Sequence, residues 1–525
     1  MRIALILALG LVSALALGGW WVLVVDQGPE SRKEARRPSS DYRLDFVPCD
    51  FEAPWRADIR CARLKTPARS QGEPQLQFQL PVVIIRAQSP DRRPDPIFYL
   101  QGGPGAPARL DREGIEGWLS WLDYGNIQRD LVLMDRRGAG RSEPALDCPE
   151  YRDYHRRILN RDLSQKKQEQ SATDILQGCY QRLVEQGKFD IEAFGTRANA
   201  RDAAALMQRL DYPVWNLLGV SYGSRLAMAI ARQPEAQGLV RSLVLDSVYP
   251  ADQGGMLSWP RIMTEGLERF LSWCSREPGL SHEVHPCTPP LRGSLRLCKS
   301  AILPICPSQG RDLNTELDQA LARLAEEPLT VTVNLWRERR PVQMLVNDQR
   351  FLSAIFSAVY SEHRWHQIPA ALAGLQEGDR EPLANLFEPK VNQALGGQVS
   401  SLVFMAVDCR DHPLGSAEDY QAQLQQYPRF QSYLAPLWAQ QSCQWLGAGA
   451  QPLSRSLPIE VPALLLAGAL DPITPAQWAR DLEARWPKSQ LHLVPDTGHS
   501  VLGSRPQLQA QLSQFLDKPT RPWPP

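Results

Sequence analysis

The chain has 525 residues, 43% of them hydrophobic, which suits one large α/β domain with an insertion, or two or three domains, and excludes a disordered chain. Lys and Arg together number 58, as do Asp and Glu, so the formal charge is zero. No long basic run stands out, which argues against a nucleic-acid partner.

The first predicted element is "MRIALILALGLVSALALGGWWVLVV": one charge, Arg2, then an uncharged apolar stretch from Ile3 to Val25. A spanning helix needs about 20 such residues, and a signal peptide's apolar region about 7–15. Residues 1–25 are therefore expected to be a signal peptide or an N-terminal membrane anchor; Ala14-Leu15-Ala16 resembles a cleavage site. Either places the body in a periplasmic or secreted compartment. Residues 26–40, "DQGPESRKEARRPSS", carry no apolar period and read as a polar linker. The ten cysteines are even in number and widely spread, which fits disulfides in an oxidising compartment. Sequence neighbours suggest Cys49–Cys61, Cys148–Cys179 and Cys409–Cys443, with Cys274, Cys287, Cys298 and Cys306 pairing among themselves.

A folded body is expected from about Asp41. Short apolar runs read as strands at 81–87, 96–101, 130–135, 214–220, 240–246, 461–468 and 489–495, with helical stretches such as "ANARDAAALMQRL" between them. Continuous apolar strands alternating with helices predict a parallel sheet covered on both faces. Between Tyr249 and about Ser400 the rhythm is lost, and the segment reads as an inserted, mainly helical cap. The expected divisions are thus 41–250 for the first part of the core, 251–400 for the cap, and 401–525 for the part that completes the core.

Chemistry is carried by loops at the strand ends. "LQGGPGAP" (100–107) follows an early strand, and its glycines leave backbone N–H groups open to a ligand. "LLGVSYGSRLAMAIA" (217–231) places Gly219, Ser221 and Gly223 where a strand meets a helix. Glycine on both sides lets the chain turn at once, so the serine hydroxyl projects at the helix N-terminus. "LLLAGALDPITP" ends a strand with Asp471 in a loop, and "LHLVPDTGHSVL" ends the next with His499 in a loop. Ser221 as nucleophile, His499 as base and Asp471 as orienting carboxylate form an acyl-transfer set, with Asp496 ranked second as orienter. The N–H groups of Gly103 and Tyr222 are the expected oxyanion donors. His363 and His366 stand three apart without a third ligand nearby and read as helix surface, so no metal is expected.

Together, "GGPG", "RDLVLMDRRGAGRSEP" (129–144), "GVSYGS", "VLDSVYP", "AGALDPITP" and "DTGHS" resemble the prolyl iminopeptidase and tripeptidyl aminopeptidase group of α/β-hydrolases. "AVDCRDHP" (406–413) and "CQWLG" (443–447) resemble the tripeptidyl-aminopeptidase-like C-terminal region. The resemblance runs from about Cys49 to Phe515. One departure is Gln101, where iminopeptidases usually carry His before GGPG; it favours the tripeptidyl-type relatives over proline specificity.

The resemblance implies an α/β-hydrolase fold: a mostly parallel sheet, helices on both faces and a cap. It implies a serine aminopeptidase acting on peptides with a free N-terminus, without cofactor. The substrate ammonium would need a carboxylate, for which Glu362, Asp408 and Asp411 are candidates from their position in or beside the cap. Asp135 and Arg137 are expected to brace loops around the site. A carboxylesterase or lipase using the same triad, and a non-catalytic binding protein on a hydrolase scaffold, remain the competing readings.

Overall fold

The computed structural model describes residues 41–54, 57–68, 76–163, 165–276, 281–284, 301–304, 306, 308, 310–396, 399–412, 415–434, 443–453 and 458–523. The expected signal peptide or anchor (1–25) and linker (26–40) lie outside the described residues. Among the described residues no helix is long and apolar enough to cross a membrane.

Thirteen strands are described: β1 (Arg43–Val47), β2 (Ile59–Lys65), β3 (Gln79–Ile85), β4 (Arg93–Leu100), β5 (Arg129–Met134), β6 (Trp215–Val220), β7 (Val240–Asp246), β8 (Ser281–Val284), β9 (Ala301–Pro304), β10 (Leu329–Leu335), β11 (Arg340–Val346), β12 (Ala463–Gly468) and β13 (Ser489–Val494). Nine form the main sheet in the order β1-β2-β3-β5-β4-β6-β7-β12-β13. The first three pairings are antiparallel and the remaining five parallel. All seven strands expected from apolar runs are present. Every residue of β5 and of β12 is buried, as strands sandwiched between two helical layers must be.

Alternate residues of each strand feed two cores. Phe98, Leu217, Leu245 and Leu465 pack with the helices Thr196–Arg209 and Tyr222–Ala231, while Ile97, Leu218, Val244 and Leu464 pack with Arg112–Tyr124 and Gln507–Asp517. Truncating one such fully buried leucine to alanine costs about 2–5 kcal/mol.

Between β7 and β12 no strand joins the main sheet among the described residues. A third core forms there, from helices Trp259–Arg276, Leu313–Glu326, Asp348–Val359 and Glu381–Gly396. This insertion is less purely helical than expected, because β10 and β11 form an antiparallel hairpin whose alternate residues Val331, Val333 and Leu335 enter its core. Among the described residues four disulfides join Cys49–Cys61, Cys148–Cys179, Cys274–Cys306 and Cys409–Cys443. Cys287 and Cys298 lie outside the described residues.

Register decides where chemistry can occur. Leu100 pairs with Gly219, Gly219 with Leu245, Leu245 with Leu465, and Leu465 with Leu491. The C-terminal ends of β4, β6, β7, β12 and β13 are therefore level, and the loops after them share one edge. Open parallel sheets place their sites at such an edge.

Candidate active site

The turn from β6 into the helix Tyr222–Ala231 is tight enough to exclude side chains at both glycines. A Cβ at Gly219 would lie 2.2 Å from the carbonyl oxygen of Gly223, and one at Gly223 would lie 1.9 Å from that of Leu100. Ser221 sits between them at φ 57°, ψ −123°, a backbone state that costs a non-glycine residue about 1–3 kcal/mol. Its surroundings fix it there. The Ser221 N–H donates to the Asp246 carbonyl at 2.8 Å, and the Ser224 N–H and hydroxyl donate to the Ser221 carbonyl at 2.9 and 2.6 Å. Tyr222 opens the helix, so its own N–H has no partner one turn back. Its buried ring is anchored by hydrogen bonds between its hydroxyl and Thr196 Oγ1 (2.7 Å) and Asn199 Nδ2 (3.2 Å).

Asp471 follows β12 and is buried. Its Oδ1 accepts the backbone N–H groups of Ile473 (3.0 Å) and Thr474 (2.9 Å), and its Oδ2 accepts the Thr474 hydroxyl (2.6 Å). The same Oδ2 lies 2.8 Å from His499 Nδ1. That contact puts the imidazole proton on Nδ1 and leaves Nε2 as the acceptor. Burial opposes the Asp471 charge, yet the paired His499 and these donors hold its carboxyl below the ordinary range. Burial likewise opposes protonation of His499, but the Asp471 charge and hydrogen bond, aided by Asp246, outweigh it and raise the imidazole above its usual value. The Tyr360 ring meets the imidazole edge-on at 5.3 Å. Asp496 instead accepts the Trp273 indole N–H at 3.1 Å, so it is Asp471 that partners the histidine.

A residue that sequence reasoning did not single out ties the two loops together. Asp246 ends β7; its carboxylate accepts the N–H groups of Val501 (2.7 Å) and Leu502 (2.9 Å), just beyond His499. Its backbone carbonyl holds Ser221. Burial pushes its carboxyl up to about 6, opposed by those two N–H donors. Its position at a strand end, in "VRSLVLD", was the available signal.

The glycine loop after β4 lies against the serine. A Cβ on Gly102 would stand 3.2 Å from Ser221 Cβ and 3.7 Å from its Oγ. Gly103 has φ 114°, which favours glycine. Farther along, the Gly105 carbonyl accepts the Ser400 N–H at 3.1 Å, where the helix Ser401–Asp411 begins. Asp135 accepts the N–H groups of Ala108 (2.6 Å) and Arg141 (2.9 Å), and Arg137 pairs with Asp202 at 2.6 Å, so both brace loops.

Two of the three acidic candidates for the substrate amine, Glu362 and Asp411, are engaged within the protein. Glu362 accepts the Gly498 N–H at 2.9 Å and pairs with Arg505, which supports the histidine loop. Asp411 accepts the Thr196 N–H at 2.9 Å and the Thr196 hydroxyl, extending the anchor of Tyr222. Asp408 lies 3.7 Å from His412 Nε2, and burial pushes its carboxyl up to about 7.

Two family profiles match the chain: an alpha/beta hydrolase fold over residues 95–285 and a TAP-like protein over residues 430–524. The putative hydrolase YuaR of Escherichia coli (strain K12) is 23% identical over 306 residues, covering 54% of each chain, so this chain spans about half of that relative. The serine protease Hip1 of Mycobacterium tuberculosis (strain H37Rv) is 22% identical over 499 residues, 90% of this chain and 88% of the relative. Among solved structures, the proline iminopeptidase of Mycobacterium smegmatis aligns over 84% of this chain and 96% of its own, at 14% identity and a TM-score of 0.38.

Proposed function

We propose, for a chain with an alpha/beta hydrolase fold and a TAP-like C-terminal segment, the activity of a serine aminopeptidase that releases short peptides from free N-termini outside the cytoplasm. The observation that carries the proposal is the 2.8 Å pairing of His499 with Asp471, at the same sheet edge on which Ser221 holds its strained turn.

In this mechanism Ser221 Oγ attacks the scissile carbonyl carbon as its proton passes to His499 Nε2. Asp471 keeps the tautomer and offsets the imidazolium charge. The carbonyl oxygen becomes an oxyanion facing the N–H groups of Gly103 and Tyr222. His499 gives its proton to the departing amine, leaving an ester on Ser221. Water, deprotonated by the same imidazole, attacks that ester, and the serine leaves with the proton restored. The serine-protease name of the mycobacterial relative supports peptide bonds as the substrate class. Support for the free amine comes from the resemblance of the GGPG and DRRGAGRS motifs to the aminopeptidase group. Among the candidates for ammonium recognition, Glu362 and Asp411 already serve Arg505 and Thr196, so Asp408, 3.7 Å from a His412 nitrogen that accepts from Arg225, is the carboxylate to vary first. The four disulfides support an oxidising compartment.

The test is hydrolysis of chromogenic amides of one, two and three residues, free and N-acetylated, together with a short acyl ester, by the full-length chain and by Ser221→Ala. Turnover of the free-amine amides that is lost on acetylation and in the variant is the expected result. Turnover of the ester alone makes the protein an esterase.

A further inference from the structure

We infer that Arg136 is a positioning residue for the oxyanion hole, the guanidinium that fixes the Gly102–Gly103 peptide while packing against the Tyr222 ring. This rests on the nucleophile role proposed for Ser221. Arg136 is buried, 5% exposed, and forms no ion pair among the described residues. Its two terminal nitrogens donate to the glycine loop instead, while Nε has no hydrogen-bond partner among the described residues. Nη1 donates to the Gln101 carbonyl, and Nη2 donates to the carbonyls of Gly102 (2.8 Å) and Ala106 (3.2 Å). Its Cζ also lies 5.2 Å from the centroid of the Tyr222 ring. One side chain thus touches both segments expected to supply oxyanion donors.

Peptide geometry turns these contacts into a function. In a trans peptide unit the C=O and the following N–H point in opposite directions. The Gly102 carbonyl and the Gly103 N–H belong to one such unit. Fixing the carbonyl on Arg136 therefore fixes the N–H on the side away from it, while Gly102 itself is pressed against Ser221. The Gln101 carbonyl does the same for the Gly102 N–H. A carbonyl that accepts from a cation also polarises its peptide and strengthens the N–H at the other end. Rotation of either glycine peptide would otherwise meet little resistance, since glycine populates most of backbone space. Among the described residues this buried guanidinium forms no ion pair, although the charge of Asp135 lies near enough to act on it, and its own charge favours the negative oxygen that develops beside this loop.

Lysine keeps the charge but cannot span two carbonyls in a fork; methionine removes both. The test compares wild type, Arg136→Lys and Arg136→Met in the full chain, with p-nitrophenyl acetate as substrate and phenylboronic acid as an anionic, tetrahedral probe of Ser221. Rates are taken per active site titrated with a fluorophosphonate, and thermal midpoints are recorded alongside. Arg136→Met is expected to lose about 10²–10³-fold in kcat, as when an oxyanion donor is removed, with KM within about threefold. Phenylboronic acid affinity should fall with kcat. Arg136→Lys should lose about tenfold in both. If Arg136→Met does not fold, the lysine variant decides. A lowered thermal midpoint with kcat per titrated site and boronate affinity both unchanged overturns the inference and leaves Arg136 a folding residue. Wild type that neither hydrolyses the ester nor reacts with the fluorophosphonate overturns the serine-hydrolase reading, and this inference with it.

Discussion

Replacing Asp471 with asparagine tests the site most directly, because the surrounding donors dictate which way the new amide must face. Oδ1 receives two backbone N–H groups, from Ile473 at 3.0 Å and Thr474 at 2.9 Å. An amide nitrogen there would set donor against donor twice, so the asparagine oxygen takes that place. Its NH2 then faces His499 Nδ1, which in wild type stands 2.8 Å from a carboxylate oxygen. The imidazole answers by moving its proton to Nε2, and Nε2 can no longer accept from Ser221. The expected loss is about 10⁴-fold in kcat, or roughly 5 kcal/mol of transition-state stabilisation.

The pH profile supplies a second reading of the same change. In wild type the Asp471 charge raises His499 above its ordinary value against burial. The base is neutral only above that raised value, so kcat/KM should fall on its acid side. Imidazolium contributes stability below the unfolded-state value and loses it as pH rises through the folded-state value. In Asp471→Asn the acid limb should move to lower pH and this acid-side stabilisation should vanish. The assay is kcat/KM from pH 5 to 9 on the best chromogenic substrate, with urea unfolding at each end. Asp496→Asn is the control and should stay within about threefold, since Asp496 is bound to Trp273. A loss under about tenfold with an unmoved acid limb would refute the orienting role of Asp471.

Gly223→Ala should abolish fluorophosphonate labelling of Ser221, because the added Cβ falls 1.9 Å from the Leu100 carbonyl oxygen in backbone that cannot yield without opening the elbow. Glu362→Gln should cost about 3–5 kcal/mol in urea unfolding: the amide oxygen can serve the Gly498 N–H only by turning its NH2 on Arg505, leaving a mostly buried guanidinium unpaired. Replacing both Cys409 and Cys443 with serine opens a loop of sequence separation 34 and should lower unfolding free energy by about 3–4 kcal/mol, read from urea midpoints under non-reducing conditions.

What could be read from sequence was whatever announces itself locally. β5 and β12 are buried on both faces and so appear as unbroken apolar runs. Ser221 and Asp471 were legible as candidates because each follows a buried strand, and His499 because it stands in a glycine-containing loop just past the half-buried β13. Disulfides that close short loops, such as Cys49–Cys61 with separation 12, follow from proximity along the chain. β1 and β2 escaped notice because "RLDFV" and "IRCARLK" are half-exposed and carry charges on the open face. β10 escaped because it falls within a segment read as helix, although "TVTVNL" alternates as a strand should. Buried charges were the least legible. Asp411 looked like a free acid beside the cap, yet its partner Thr196 lies 215 residues away in sequence.

Asp246 shows why those distant contacts matter to the chemistry. β6 leads into Ser221, β12 into the Asp471 loop and β13 into the His499 loop, and β7 lies between β6 and β12. The strand register alone makes their ends level but leaves the loops beyond them free to vary. Asp246 removes that freedom with two ends of one residue. Its main chain accepts Ser221, and its side chain accepts Val501 and Leu502. Next to it, Ser247 Oγ accepts the Ser500 N–H at 2.8 Å, so three successive N–H groups after His499 are fixed to the end of β7. An asparagine there would set its NH2 against one of these two N–H donors, so only a carboxylate accepts both. The carboxylate's charge adds to that of Asp471 in raising His499, so this one buried acid both holds the His499 loop and contributes to the proton affinity of the imidazole. That dual demand explains why the fold carries a carboxyl group whose ionisation burial opposes.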